Sequence, residues 1–229
     1  TTCTHTVRTV SPFRLSRALL LPAVALLVVA CSAVTDEETD DSSGAVTSSL
    51  RWQLPANVTA IGARVRLTYD GPPKWSSRAC SGGLKSGSKK LGEFLRDEFS
   101  QVDSVGGYAC RRNTANASEL SVHGTGRALD VFIPKTKSGA ADNAKGDKVA
   151  NWLVTRASKI GVQLVIWDRT IWRANGSNDS AYHGPHPHDD HIHVELTDEA
   201  AAMKMPWFAN PVLGEDDSDS GMLDAGTSR

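Results

Sequence analysis

Two short segments hold the side chains best suited to bind a metal ion: Ser121 to Asp130, S-V-H-G-T-G-R-A-L-D, and Asp190 to His193, D-H-I-H. Imidazole and carboxylate are donors that zinc accepts in a tetrahedral set, and a catalytic zinc uses three protein ligands and leaves the fourth position to water. His123 and Asp130 are seven residues apart. That interval suits a tight turn, permitted by Gly124 and Gly126, running into an extended segment with Asp130 near its start. In His191 to Leu196, a strand period of two sends His191, His193 and Glu195 to one face and Ile192, Val194 and Leu196 to the other. The apolar face should pack and the imidazole face should line a cleft. Spacing alone lets either His191 or His193 bind. A zinc site of this kind predicts a hydrolase.

Such residues need a scaffold. Leu91, Phe94, Leu95 and Phe99 fall at helical spacing within Ser88 to Phe99, and Val149, Trp152, Leu153 and Ile160 repeat the pattern within Asp147 to Ile160, before Gly161. Val105–Cys110, Ala128–Ile133, Val162–Trp167 and His191–Leu196 are short runs rich in β-branched or aromatic residues, each bounded by Gly, Pro, Asn or Asp, and read as strands. Thr197 can cap a last short helix reaching Met203. Helices that mostly precede strands, rather than alternate with them, predict an α+β domain: a small antiparallel sheet carrying the zinc site, flanked by helices. No internal repeat is visible.

The ends of the chain differ from its middle. Arg8, Arg14 and Arg17 precede an apolar run from Ala18 to Ala30, short for a membrane span and flanked like a secretory signal, so residues 1–30 read as an export signal. The run ends V-V-A-C, which resembles the lipobox of bacterial lipoproteins and implies that Cys31 carries lipid and tethers the protein to a membrane. Residues 31–50 are acidic and hydroxyl-rich, without hydrophobic period, as expected of a flexible linker, and the polar, acidic stretch over 212–229 reads the same way. The folded unit is therefore expected over 51–211. With Cys3 in the signal and Cys31 lipidated, Cys80 and Cys110 remain; in an oxidising compartment they predict a disulfide. A formal net charge of -1 over 229 residues gives no reason to expect nucleic acid as a partner, and one domain of this size is expected to act as a monomer.

The residues around His123 resemble a known family, the LAS-type zinc peptidases, which group lysostaphin, D-alanyl-D-alanine metallopeptidases and the hedgehog signalling domain. Its S-x-H-x-x-G-x-A-x-D pattern is met by Ser121, His123, Gly126, Ala128 and Asp130, and its H-x-H by His191 and His193. The resemblance implies Zn2+ held by His123, Asp130 and His193, with His191 beside the metal without binding it. Relatives with E-x-x-H use the Glu as general base; here Asp190, one methylene shorter, precedes His193 by three, and the base role falls to Asp190 or His191. Tyr108 to Arg112, Y-A-C-R-R, is similar to a Y-x-C-R element whose arginine faces the substrate, which makes Arg111 catalytic and Arg112 its fallback. The run from Val165 to Arg173 with Tyr182 is similar to another element of the group, and the resemblance adds Ser121, Trp167 and Tyr182 as substrate-side residues, with Trp167 in the core or the cleft wall rather than a direct catalytic part. His183, His186 and His188 are expected at the cleft rim. By this resemblance the protein is expected to hydrolyse stem-peptide amide bonds of peptidoglycan at the bacterial cell envelope, as a D,D-carboxypeptidase or endopeptidase. The alternative is a zinc-stabilised domain that binds wall or partner without cutting.

Overall fold

The computed structural model describes residues 51–213. Residues 1–50, where an export signal, a lipidated Cys31 and an acidic linker are expected, and residues 214–229 of the expected tail lie outside the described residues. Past Pro211 the chain is still tied down: Trp207 donates its indole N–H to the Val212 carbonyl, and Trp152 donates to that of Leu213.

The first helix, α1 (Ala56–Gly62), follows Pro55 and buries Val58. Helix α2 (Ser86–Glu98) starts two residues before the expected Ser88 and buries Leu91 and Leu95 on one stripe. Strand β1 is only Ser104–Gly106, shorter than the expected Val105–Cys110. The strand ends before Gly107, whose absent Cβ lets the chain lie against the Ala128 backbone. Strand β2 (Ala128–Phe132) follows a 3-10 turn at Val122–Thr125. The helix expected over Asp147 to Ile160 begins earlier and breaks at Arg156, giving α3 (Asn143–Thr155) and α4 (Ala157–Ile160). Strand β3 (Val162–Trp167) then pairs with β4 (Thr170–Arg173), a strand the sequence reading lacked. Strands β5 (Ser180–Ala181) and β6 (His191–Leu196) complete the sheet, and α5 (Asp198–Ala201) is capped by the Thr197 side chain but stops short of Met203.

The sheet is antiparallel throughout, in the order β1-β2-β6-β3-β4-β5. The α+β class expected from the sequence is the one observed. Alternation splits each central strand into two faces. On one face Leu129, Val131, Val165, Trp167, Ile192 and Val194 meet Leu91, Leu95, Val149 and Leu153 from α2 and α3 in one buried core. Each such side chain removed from water contributes about 1.5–3 kcal/mol. On the other face stand Asp130, His191, His193 and Glu195, with a small apolar group of Leu164, Ile166 and Ile171 beside them. The core thus covers one side of the sheet and leaves the other to chemistry.

The Cys80–Cys110 disulfide expected from the sequence is present, with Cα atoms 5.6 Å apart. No helix among the described residues is long and apolar enough to cross a membrane.

Candidate metal centre

Register builds the centre. Asp130 on β2 pairs directly with His193 on β6, so both side chains leave the sheet on the same side, one strand spacing apart. His123 arrives from the 3-10 turn, which ends at Gly126 in the left-handed region (φ 75°). A side chain there would collide with the Gly83 carbonyl. That turn is also strapped from outside, by Ser81 N–H to the Gly124 carbonyl (2.9 Å) and Lys85 N–H to that of Gly126 (3.0 Å).

One ligand atom from each of His123, Asp130 and His193 lies within 4.8 Å of the others, a spacing that can hold one metal ion. The outer partners of the imidazoles fix which nitrogen faces inward. His123 turns Nδ1 to the Gly107 carbonyl and Nε2 to Asp130 Oδ1, at 3.4 Å. His193 turns Nδ1 to Asp130 Oδ1 at 3.2 Å and Nε2 to Glu195 Oε1, also at 3.2 Å. Glu195 is itself held by the Tyr69 hydroxyl, which donates to Oε2 at 2.9 Å. A carbonyl or carboxylate behind each imidazole is the usual outer shell of a metal-binding histidine. The donor chemistry therefore fits a divalent cation.

The electrostatics agree. Burial alone would raise the Asp130 carboxyl, yet the bonded His193 and the nearby His123 and His191 hold it at about 2. Glu195 is likewise lowered against its burial, by His193, Tyr69 and Gln163. Burial disfavours a charged His193, but the carboxylates on both of its nitrogens lift it to about 9. His123 is lowered by burial and by the neighbouring His193, which keeps it neutral and able to donate a lone pair. Asp130 and Glu195 thus bring two carboxylates to one imidazole.

The centre lies in a cleft of about 390 Å3 whose walls include Arg111, Ser121, Tyr182, His188 and His191. His191 Nδ1 bonds Asp190 Oδ1 at 2.7 Å, and its Nε2 is 3.8 Å from Asp130 Oδ1. Asp190 itself is half-exposed and outside the cleft wall, touching the site only through that imidazole. Two expected substrate-side residues are elsewhere. Trp167 is wholly buried on the core face, its indole N–H donating to Asp147 Oδ1 at 2.9 Å, because strand alternation points it away from the cleft. Arg112 faces outward over the Trp75 ring and donates to the Ala117 carbonyl at 2.7 Å.

Three participants escaped the sequence reading. The Gly107 carbonyl has no side-chain signature. Glu195 was visible on the right face through its period, without its role behind His193. His188, expected at the rim, is buried: its ring centroid stands 4.8 Å from that of His191 and 5.7 Å from that of His193. Its Nδ1 is engaged by the His186 carbonyl at 2.8 Å, and burial, with the nearby His193, pushes it down to about 4.

Fold and site together define an antiparallel α+β domain whose open sheet face carries a His-Asp-His cluster able to hold a metal ion. Residues 80–193 match the model of a family described as VldE, C-terminal domain. That span opens on the first disulfide cysteine and closes on the last of the three metal-site residues. The description names neither metal nor substrate. No curated protein and no solved structure matches the chain.

Proposed function

We propose that this domain is a zinc-dependent peptidase that hydrolyses stem-peptide amide bonds of peptidoglycan. The observation that carries the reading is the His123, Asp130 and His193 cluster at the base of a cleft, with a carboxylate-oriented histidine beside it. Three N and O ligands are the complement of a catalytic rather than a structural zinc. When bound there, the metal would lower the pKa of a water to about 7 and polarise the scissile carbonyl.

The chain supplies the rest. With its Nδ1–H donating to Asp190, His191 keeps the Nε2 lone pair toward the cleft and takes the proton of the attacking water. The same nitrogen returns a proton to the leaving amine, so the base is regenerated. Asp190 holds the tautomer and acts as a positioning residue, which assigns the base to His191. Arg111, on the cleft wall, steadies the negative charge that develops on the carbonyl oxygen. Export through residues 1–30 and lipidation at Cys31 would present the domain to the cell wall, and motif likeness to LAS-type peptidases supports the substrate class.

The test is mass spectrometry of muropeptides incubated with the protein, with and without chelator. Cleavage that chelator abolishes and zinc restores is expected, and product masses name the bond. His191→Ala should keep zinc and lower turnover roughly 10²- to 10⁴-fold, the span of general base catalysis. Zinc binding without cleavage of any muropeptide would instead favour the binding domain.

A further inference from the structure

We propose that a second cavity beside the metal cleft is a substrate subsite in which Arg173 holds a carboxylate of an acidic peptide. The proposal rests on the peptidase reading above and names a feature of its substrate. The cavity, also about 390 Å3, is lined by Tyr69, Gln163, Leu164, Arg173 and Asn175. Leu164 is a wall of both spaces.

Register puts Arg173 on the reactive face. Arg173 pairs with Leu164, which pairs with Glu195, so these three form one row across β4, β3 and β6. The next row is Ile171, Ile166, His193 and Asp130. Arg173 thus lies two strands and one row from His193. With strands about 4.8 Å apart and a same-face step of roughly 7 Å, the separation is roughly 12 Å, or about three to four residues of extended peptide. The reach of the arginine side chain shortens this to two or three residues.

The chemistry of this second space is selective. Arg173 is exposed and has neither an ion pair nor a side-chain hydrogen bond among the described residues. By contrast Arg127, buried just before β2, is committed to Asp198 and to the Leu196 carbonyl. A free guanidinium matches a carboxylate with two parallel hydrogen bonds and repels a cation. Between Arg173 and the metal cluster the floor is apolar, Leu164, Ile166 and Ile171, which suits a small aliphatic side chain. The far wall is fixed: Tyr69 is pinned through its hydroxyl to Glu195, and Leu67 N–H bonds the Ala174 carbonyl at 2.7 Å. A peptide crossing the metal centre along this face would meet first an aliphatic step and then a cation.

The experiment compares zinc-loaded wild type and Arg173→Gln on muropeptides whose acidic residues carry free carboxylates and on the same peptides amidated at each acid in turn. Arg173→Gln should raise KM roughly five- to ten-fold for the acid form, an exposed charge-assisted contact, with kcat unchanged and the amidated form unaffected. Arg173→Lys should recover part of the loss. Equal effects on acid and amidated peptides, or none on either, would overturn the subsite. Calorimetric binding of both peptide forms separates this from the parent reading. A preference for the acid form that Arg173→Gln removes, without turnover in wild type, keeps the subsite and overturns the peptidase. Equal binding of both forms to wild type and variant overturns the subsite whatever the turnover.

Discussion

At the residue scale, the centre depends on Glu195 as much as on the three side chains that touch the metal position. With Glu195 Oε1 on its Nε2, His193 can present only Nδ1 toward Asp130. Glu195→Gln keeps the shape but weakens that acceptor and lets the amide turn its NH2 toward the ring. Zinc affinity is then expected to fall about 10- to 100-fold, the usual effect of losing an outer-shell partner. Competition with a chromogenic chelator would read the loss, with circular dichroism checking that the fold persists; unchanged affinity would remove Glu195 from the account. The triad residues were legible because each sits in a tightly spaced motif, and the period of two had already put Glu195 on the same face. For Trp167 both core and cleft wall were open, because β-branched and aromatic runs give the strand but not which face the core will claim. His188 was underestimated because its burial depends on a contact from a distant turn.

That turn belongs to the element scale. Asp168 and Arg169 join β3 to β4 with φ of 34° and 61°, the left-handed pair that a two-residue hairpin requires. Its amides hold the histidine-rich loop: Asp168 N–H donates to the His188 carbonyl at 2.7 Å and Arg169 N–H to that of Pro187 at 2.8 Å. The hairpin carries no sequence signal because Asp-Arg lacks the glycine that usually marks such a turn, although Thr170 to Trp172 has the β-branched and aromatic residues of a strand. Helix α1, under two turns long with Val58 and Gly62 its buried positions, carries too little periodicity to be read at all. By contrast β3 and β6 were read to the residue, since each is a compact apolar or alternating run between clear breakers. The disulfide acts at this scale too. Cys80 leads into the strap on the His123 turn, and Cys110 lies beside Arg111, whose carbonyl accepts from Ser121 N–H at 2.9 Å. Replacing both cysteines by serine is expected to cost about 3–4 kcal/mol in urea unfolding, from the freed loop entropy of the unfolded chain. Zinc affinity should fall as well, because both segments that frame His123 lose their tie. A variant as stable as wild type would show that the strap needs no crosslink.

At the scale of the whole molecule, stability against pH is shaped by acids on the core side as well as by those at the metal centre. Asp147 on α3 accepts from Trp167 Nε1 at 2.9 Å and from Asn143 Nδ2 at 3.0 Å, both on Oδ1, and so ties α3 to β3. Burial raises its carboxyl above the ordinary 3.8, and the two hydrogen bonds offset this only in part. Asp168, close by, is raised for the same reason. For an acid raised in the folded state, the native chain holds its proton longer than the unfolded chain does. Its stabilising contribution is complete below the unfolded value and is lost as pH rises through the folded one. Asp147→Asn offers an uncharged oxygen to both donors, so the helix stays tied to the strand while the titration is removed. Relative to wild type, the variant should therefore gain stability between pH 3.5 and pH 7, on the order of the charge it no longer buries. Paired urea titrations at the two pH values measure this as a difference of differences, in which every other titrating group cancels. A gap that stays constant as pH rises would mean that the Asp147 carboxylate costs nothing to hold in the native protein, and one that widens in favour of wild type would mean that its hydrogen bonds outweigh the cost of burial; either result overturns the account.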